Sequence, residues 1–192
     1  MASPACAVGR SAALGVPAAT RLFRLFGSGT LSMQTLSGLT FDSSKLIERA
    51  AASLGMIARI QVVREPAEVQ AALAAAAAWR AEAISAGGTP VFAERKQVID
   101  YAIKARLPTV FSVRNYVDDG GLLSYGVPKD EYAAMSDRWV SQIEQVLRGA
   151  PTATIPVEIP HRFELCVNAT TAKSLGLGIP AHVLSRADEI VK

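Results

Sequence analysis

The stretch at residues 108–126, PTVFSVRNYVDDGGLLSYG, narrows the choice of fold more than any other. Thr109 to Val113 is a short β-branched and aromatic run set off by Pro108, the pattern of a buried strand bounded by a turn signal. Arg114, Asn115 and Tyr116 follow as a polar and aromatic loop. Asp118, Asp119, Gly120 and Gly121 supply a turn, and Leu122 to Tyr125 extend again up to Gly126. In an open α/β sheet, ligands sit beyond the carboxyl ends of parallel strands. The residues that end these two runs, Tyr116 on one side and Ser124 and Tyr125 on the other, are therefore candidates for a binding edge.

The rest of the chain alternates helix and strand signals around that stretch. Leu46, Ile47, Ala50, Ala51 and Leu54 recur at helical spacing and Gly55 can cap them, after which residues 56–63 read as a strand. Pro66 opens a helix through the alanine run to about residue 81, and residues 83–86 form a minimal strand. After Gly87 and Gly88, a helix carries Val98, Ile99, Ala102 and Ile103 on one face. Pro128 opens another, with Tyr132, Met135, Trp139, Ile143 and Val146 in one stripe and Gly149 at its end. That stripe, Trp139 included, is expected in the core. Pro151, Pro156 and Pro160 mark an extended crossing segment, residues 163–167 a strand, and residues 169–175 a short helix before a closing segment. The pattern predicts an α/β fold, a parallel sheet flanked by helices. Residues 1–34 show no sustained period, so residues 1–36 are expected to be poorly ordered or non-native and the α/β lobe to span residues 37–192, with order beginning near Ser37.

Charge narrows the partners. The net charge of +3 comes from Arg10, Arg21 and Arg24, since from Asp42 onward 17 basic residues balance 17 acidic ones. A formally neutral globular part without a Lys/Arg cluster does not predict a nucleic-acid partner. Cys6 and Cys166 imply no disulfide framework, and Cys166 reads as a small core residue. No stretch of about 18 apolar residues marks a membrane span. Residues 11–20 have the small-residue ending of a secretory signal, but Gly15 and Pro17 interrupt them.

The sequence carries no catalytic constellation. His161 and His182 are isolated, with no acid or cysteine at metal-ligand or triad spacing. Asp118 and Asp119 before Gly-Gly read as turn formers rather than as an acid pair. No enzyme and no cofactor is expected. Gly87 and Gly88 leave three readings open: a phosphate cradle, weakened by the missing G-x-G-x-x-G and Walker patterns; a tight turn; or, with Thr89 and Phe92, one wall of a pocket. The last reading sets Gly88, Thr89 and Phe92 against Tyr116, Ser124 and Tyr125, a set of hydroxyls, aromatic faces and backbone N–H groups suited to a small polar solute such as an amino acid.

The stretches FAERKQVIDYAIKARLPTVFSVRNYVDDGGLLSYG, IPVEIPHRFELCVNATTAKSLGLGIP and LSRADEIV resemble the ABC transporter substrate-binding proteins of the tryptophan and phenylalanine type over residues 37–192. The resemblance implies one lobe of a type I periplasmic-binding-protein fold, mainly the second, with most of the first absent. It also implies a missing first strand, because Phe41 runs almost directly into Lys45. Full-length relatives close two lobes on a small-molecule solute and deliver it to an ABC permease and ATPase in the periplasm or elsewhere outside the cytoplasm. Without a convincing export signal, retention in the cytoplasm stays open. A lobe alone is expected to bind solute weakly or not at all. The alternatives are a sensory or interaction module that self-associates, and a degenerate remnant.

Overall fold

Strand β3 shows how this sheet is built, because its successive side chains serve two different cores. The computed structural model of the protein describes residues 32–37 and 44–192. In β3 (Ala83–Gly87), Ala83 joins one apolar cluster while Ile84 and Ala86 join the other. In β4 (Thr109–Phe111), Val110 and Phe111 divide in the same way. Strands buried on both faces carry largely apolar runs rather than alternation, and this accounts for both segments, whose polar members Ser85 and Thr109 are small and buried.

The first cluster lies under α1 (Ser44–Ser53) and two short helices near the end, through Ile47, Ala51, Ala172 and Val183. The second lies under α2 (Val69–Ala78), α3 (Thr89–Ala93) and α4 (Arg95–Lys104), through Ala72, Leu73, Val91, Val98 and Ile99. In α2, buried alanines at positions 72 and 76 keep side-chain bulk off its packed face, so the alanine run works as a packing surface. The expected α4 face is buried at Val98, Ile99 and Ala102, while Ile103 is exposed.

Seven strands pair in the order β2-β1-β3-β4-β5-β6-β7. These are β1 (Ser32–Ser37), β2 (Ile57–Val62), β3, β4, β5 (Leu123–Gly126), β6 (Glu164–Asn168) and β7 (Glu189–Val191). All neighbours are parallel except β5 and β6, so the expected parallel sheet carries one antiparallel junction. Residues 32–36 fall in the segment expected to lack order, yet they form most of β1, seated between β2 and β3. The place beside β3 is thereby filled, and β2 becomes the edge. Residues 1–31 and Cys6 lie outside the described residues.

The antiparallel junction positions the longest helix. Gly126 ends β5 opposite Glu164, which begins β6, so the chain leaves and re-enters the sheet at the same carboxyl edge. Between them run α6 (Lys129–Leu147) and a proline-marked return strap at residues 148–163. This excursion stands off the edge and is not laid along a face. The expectation that the stripe on α6 is core is corrected accordingly: Met135 is the helix's one buried residue, and Trp139 is 43% exposed. Polar groups clasp strap to helix: Arg138 Nε donates to Glu158 at 2.7 Å, Gln142 Nε2 to the Pro156 carbonyl at 2.9 Å, and the His161 N–H to Glu131 at 3.1 Å. Arg162 pairs with Asp130. Among the described residues no helix is long and apolar enough to cross a membrane.

Candidate functional site

The strand order reverses around β1, which has β2 on one side and β3 on the other. Beyond the carboxyl ends of β3 and β4, next to that reversal, lies a pocket of about 350 Å³. Its walls are Gly88, Thr89 and Phe92 after β3, Ser112, Val113, Asn115 and Tyr116 after β4, and Tyr132 from the first turns of α6.

The backbone makes this edge tight. Gly88 takes φ +92°, where a side chain is strained, and so lets β3 turn directly into α3. A Cβ on Gly87 would lie 2.8 Å from Ser112 Oγ, and one on Gly126 only 1.8 Å from the Ser112 carbonyl oxygen. Glycine on both neighbouring strands is what lets β4 end there.

Tyr116 lies on α5 (Asn115–Asp118), a helical turn where the sequence suggested an open loop. It is fully buried, stacked on Phe111 with centroids 4.1 Å apart and met edge-on by Phe92 at 5.5 Å. Its hydroxyl has no hydrogen-bond partner in the protein, although the residue lines the pocket. Burial pushes the phenol well above its ordinary value, opposed by the nearby Arg95, so it stays protonated and can donate. An orphaned buried hydroxyl costs about 1–3 kcal/mol until something accepts its proton.

The segment behind Tyr116 is held from two sides. Asn168 Nδ2 donates to the Val117 carbonyl at 3.3 Å and Thr171 Oγ1 to the Gly120 carbonyl at 2.8 Å. From β4, Thr109 Oγ1 accepts the Leu122 N–H at 3.1 Å. Asn168 also caps α7 (Ala169–Ser174) by accepting the Thr171 N–H at 2.8 Å. The VNATT motif thus works as a brace. Asp118 and Asp119 do more than turn the chain, since Asp119 accepts from Arg95 Nε at 2.5 Å and Asp118 from Arg114 Nε at 3.2 Å. Arg114 also reaches Glu189 of β7 with both terminal nitrogens, and these carboxylates hold its pKa far above the ordinary arginine value.

Of the six residues expected to line a cleft, the pocket brings together Gly88, Thr89, Phe92 and Tyr116. Ser124 and Tyr125 are not part of it. Ser124 is buried within β5 opposite Cys166, and Tyr125 packs with the first core cluster and stacks on Phe163 at 5.7 Å. Tyr116 belongs to the second cluster, across the sheet. Sequence reasoning missed Ser112, Val113, Asn115 and Tyr132. The first three directly follow the β4 run and were legible as a strand end, whereas Tyr132 required knowing that α6 rises from the same edge.

No wall residue carries a charge. Aromatic faces, hydroxyls and one amide can hold and orient a solute, and they present no nucleophile with a base. Among the described residues no three His, Cys, Asp or Glu side chains come together to hold a metal ion.

The fold matches solved structures. A conserved domain protein from Vibrio cholerae O1 biovar El Tor aligns with TM-score 0.79 and 23% identity over 91% of this chain and 60% of its own. The ABC domain from Streptococcus pneumoniae in complex with L-Trp aligns with TM-score 0.79 and 20% identity over 92% and 62%. CD0873, a Clostridium difficile substrate-binding protein with adhesive properties, aligns with TM-score 0.62 and 16% identity over 93% and 60%. This chain therefore spans about three-fifths of their length. No curated protein sequence matches it. The model of the family described as ABC transporter substrate binding protein matches residues 42–191, most of the chain and all of the sheet except β1. This chain belongs to the ABC transporter substrate-binding protein family.

Proposed function

We propose that the chain is a lobe of the solute-binding component of an ABC importer and that the pocket at the carboxyl edge is its half of the solute site. The observation that carries this reading is the pocket wall itself, Phe92, Tyr116 and Tyr132 among small polar groups, with the Tyr116 hydroxyl buried and without a protein partner. Such a wall suits a small, flat or apolar solute with a hydrogen-bond acceptor, an amino acid with an aromatic side chain being the favoured class. The L-Trp complex of the pneumococcal relative supports that class. The importer's permease and ATPase are the proposed partners, and the proposed place of work is outside the cytoplasm.

High-affinity pockets bury about 70–90% of a ligand's surface. An open wall cannot do so, and the polar groups on the solute's far side stay in water. The chain alone is expected to bind weakly. Titration calorimetry of the chain with the twenty amino acids tests both statements: heats fitting a dissociation constant of about 0.1–10 mM for aromatic amino acids, lost in Tyr116→Phe, support them. Sub-micromolar binding, or binding indifferent to Tyr116, would sink them.

A further inference from the structure

Two walls of the pocket come from separate stretches of chain, and one ion pair joins them. Thr89 and Phe92 stand on α3, Asn115 and Tyr116 on α5. Arg95 opens α4, directly after the break at Glu94 that ends α3. Its Cζ lies 4.6 Å from the centre of the Phe92 ring, Nη1 donates to the Phe92 carbonyl at 3.4 Å, and Nε donates to Asp119 at 2.5 Å. Asp119 is the residue that caps the end of α5. One planar cation thus holds the ring and the backbone of Phe92 and, at the same time, the terminus of the opposite wall. Neither Arg95 nor Asp119 lines the pocket itself.

The two ends of this tie differ in how firmly they are held. The Asp119 end is braced to the sheet, because the Gly120 carbonyl accepts from Thr171 Oγ1 at 2.8 Å and the Gly121 N–H returns to the Tyr116 carbonyl at 2.7 Å. Phe92 is only half-buried, although Val91 before it is fully buried. It meets Tyr116 edge-on, a contact that by itself adds little and tolerates a range of centroid distances. A cation over the ring face narrows that range, and a guanidinium can stack on a ring while its fork points at a carboxylate, which an ammonium cannot. The neighbouring Asp118 is engaged by Arg114, so the adjacent acids serve different arginines. The side chains of Arg95 and Asp119 are 29% and 27% exposed, and a pair so open to solvent contributes little to global stability. Its effect is local: it refers the position of Phe92 to the braced wall.

We infer that Arg95 and Asp119 are a positioning pair that sets the spacing of Phe92 and Tyr116 and, through it, the grip of the pocket on an aromatic solute. The inference rests on the reading of this pocket as the solute site.

Amide hydrogen exchange of the 192-residue chain without solute, beside titration with L-phenylalanine and L-tryptophan followed by NMR chemical shifts, tests the pair separately from the site it serves. In Asp119→Ala the amides of residues 89–95, among them the Phe92 N–H that donates to the Gly88 carbonyl at 2.9 Å, should exchange about threefold to tenfold faster. Exchange in β2 and β6 should keep the wild-type rate, and the melting temperature should stay within about 2 °C. Affinity for the two amino acids should fall about fivefold. Asp119→Asn, whose amide oxygen still accepts from Arg95 Nε, should restore most of both readouts. Arg95→Lys, which keeps the charge without the planar fork, should resemble Asp119→Ala and carries the comparison if the alanine variant does not fold. Unchanged exchange at residues 89–95, or exchange raised equally across the sheet, overturns the inference. So does unaltered affinity in a variant whose exchange has changed, or an asparagine variant as impaired as the alanine one. A wild-type chain that takes neither amino acid counts against the solute site, while the exchange rates and their rescue by asparagine still decide whether the pair sets the walls.

Discussion

Tyr116 shows how one side chain can be stabilising and incomplete at once. Its ring is stacked on Phe111, while its hydroxyl has lost water and gained no protein partner. Tyr116→Phe should therefore leave folding stability unchanged or raise it by about 1 kcal/mol, as measured by urea unfolding at pH 7. The pH dependence gives a second signature. Below pH 10 the phenol is neutral both folded and unfolded and contributes no slope. Above pH 10 the unfolded chain ionises while the folded tyrosine resists, so stability falls as pH rises. Cys166, pushed by burial up to about 11, adds to that fall from about pH 9. The Phe variant should show a shallower decline across pH 10–11. Gly126 is a purely steric case. A methyl group there would meet the Ser112 carbonyl oxygen at 1.8 Å, backbone against backbone, so Gly126→Ala should destabilise by about 3 kcal/mol or more and lower the melting temperature visibly. Part of this was legible beforehand. The glycines and Tyr116 follow from strand ends and turn chemistry, but the sequence reading placed both Ser124 and Tyr125 in one pocket, although adjacent residues of a strand face opposite sides. Tyr125 accordingly shares its face with Leu123, in the first core cluster.

Among the elements, α6 and its strap form a unit held by polar clasps. Glu131 accepts the His161 N–H and an Arg138 nitrogen, and these donors hold its carboxyl below the usual range. Arg162 does the same for Asp130. With folded values below the unfolded ones, these pairings help above the unfolded carboxylate range near pH 4 and fade as pH falls through the lower folded values. Arg138→Ala removes the link to both Glu131 and Glu158. Limited proteolysis should then cut within residues 150–160 several times faster, with the sheet intact; unchanged cutting would mean that the strap is held otherwise. Periodicity identified α6 almost to the residue, because a 3.6-residue repeat is a local property. What covers the repeat is not local, and so the core placement of Trp139 failed. Strand β1 was missed for the complementary reason. Its sequence SMQTLS lacks the β-branched and aromatic run that marks residues 109–111, and its place in the sheet comes from the partners on either side.

At the scale of the whole molecule, strand and helix alternation was enough for the architecture, since a sheet needing cover on both faces leaves few arrangements. The single antiparallel step at β5 and β6 was not legible, yet it turns α6 away from the sheet and sets Tyr132 over the pocket. Another long-range tie has a consequence in time. Arg114, beside the pocket wall, is gripped by Glu189, which lies 75 residues further along the chain. Chains emerge from the ribosome at about 5–20 residues per second, N-terminal parts first. For several seconds after its own synthesis Arg114 has only Asp118 to hold it, and the wall that carries Tyr116 is anchored at one end. The nascent protein therefore passes through an interval in which β1 to β6 exist while β7 and the Glu189 grip on Arg114 do not, and the arrival of Glu189 completes the sheet and fixes its binding edge together.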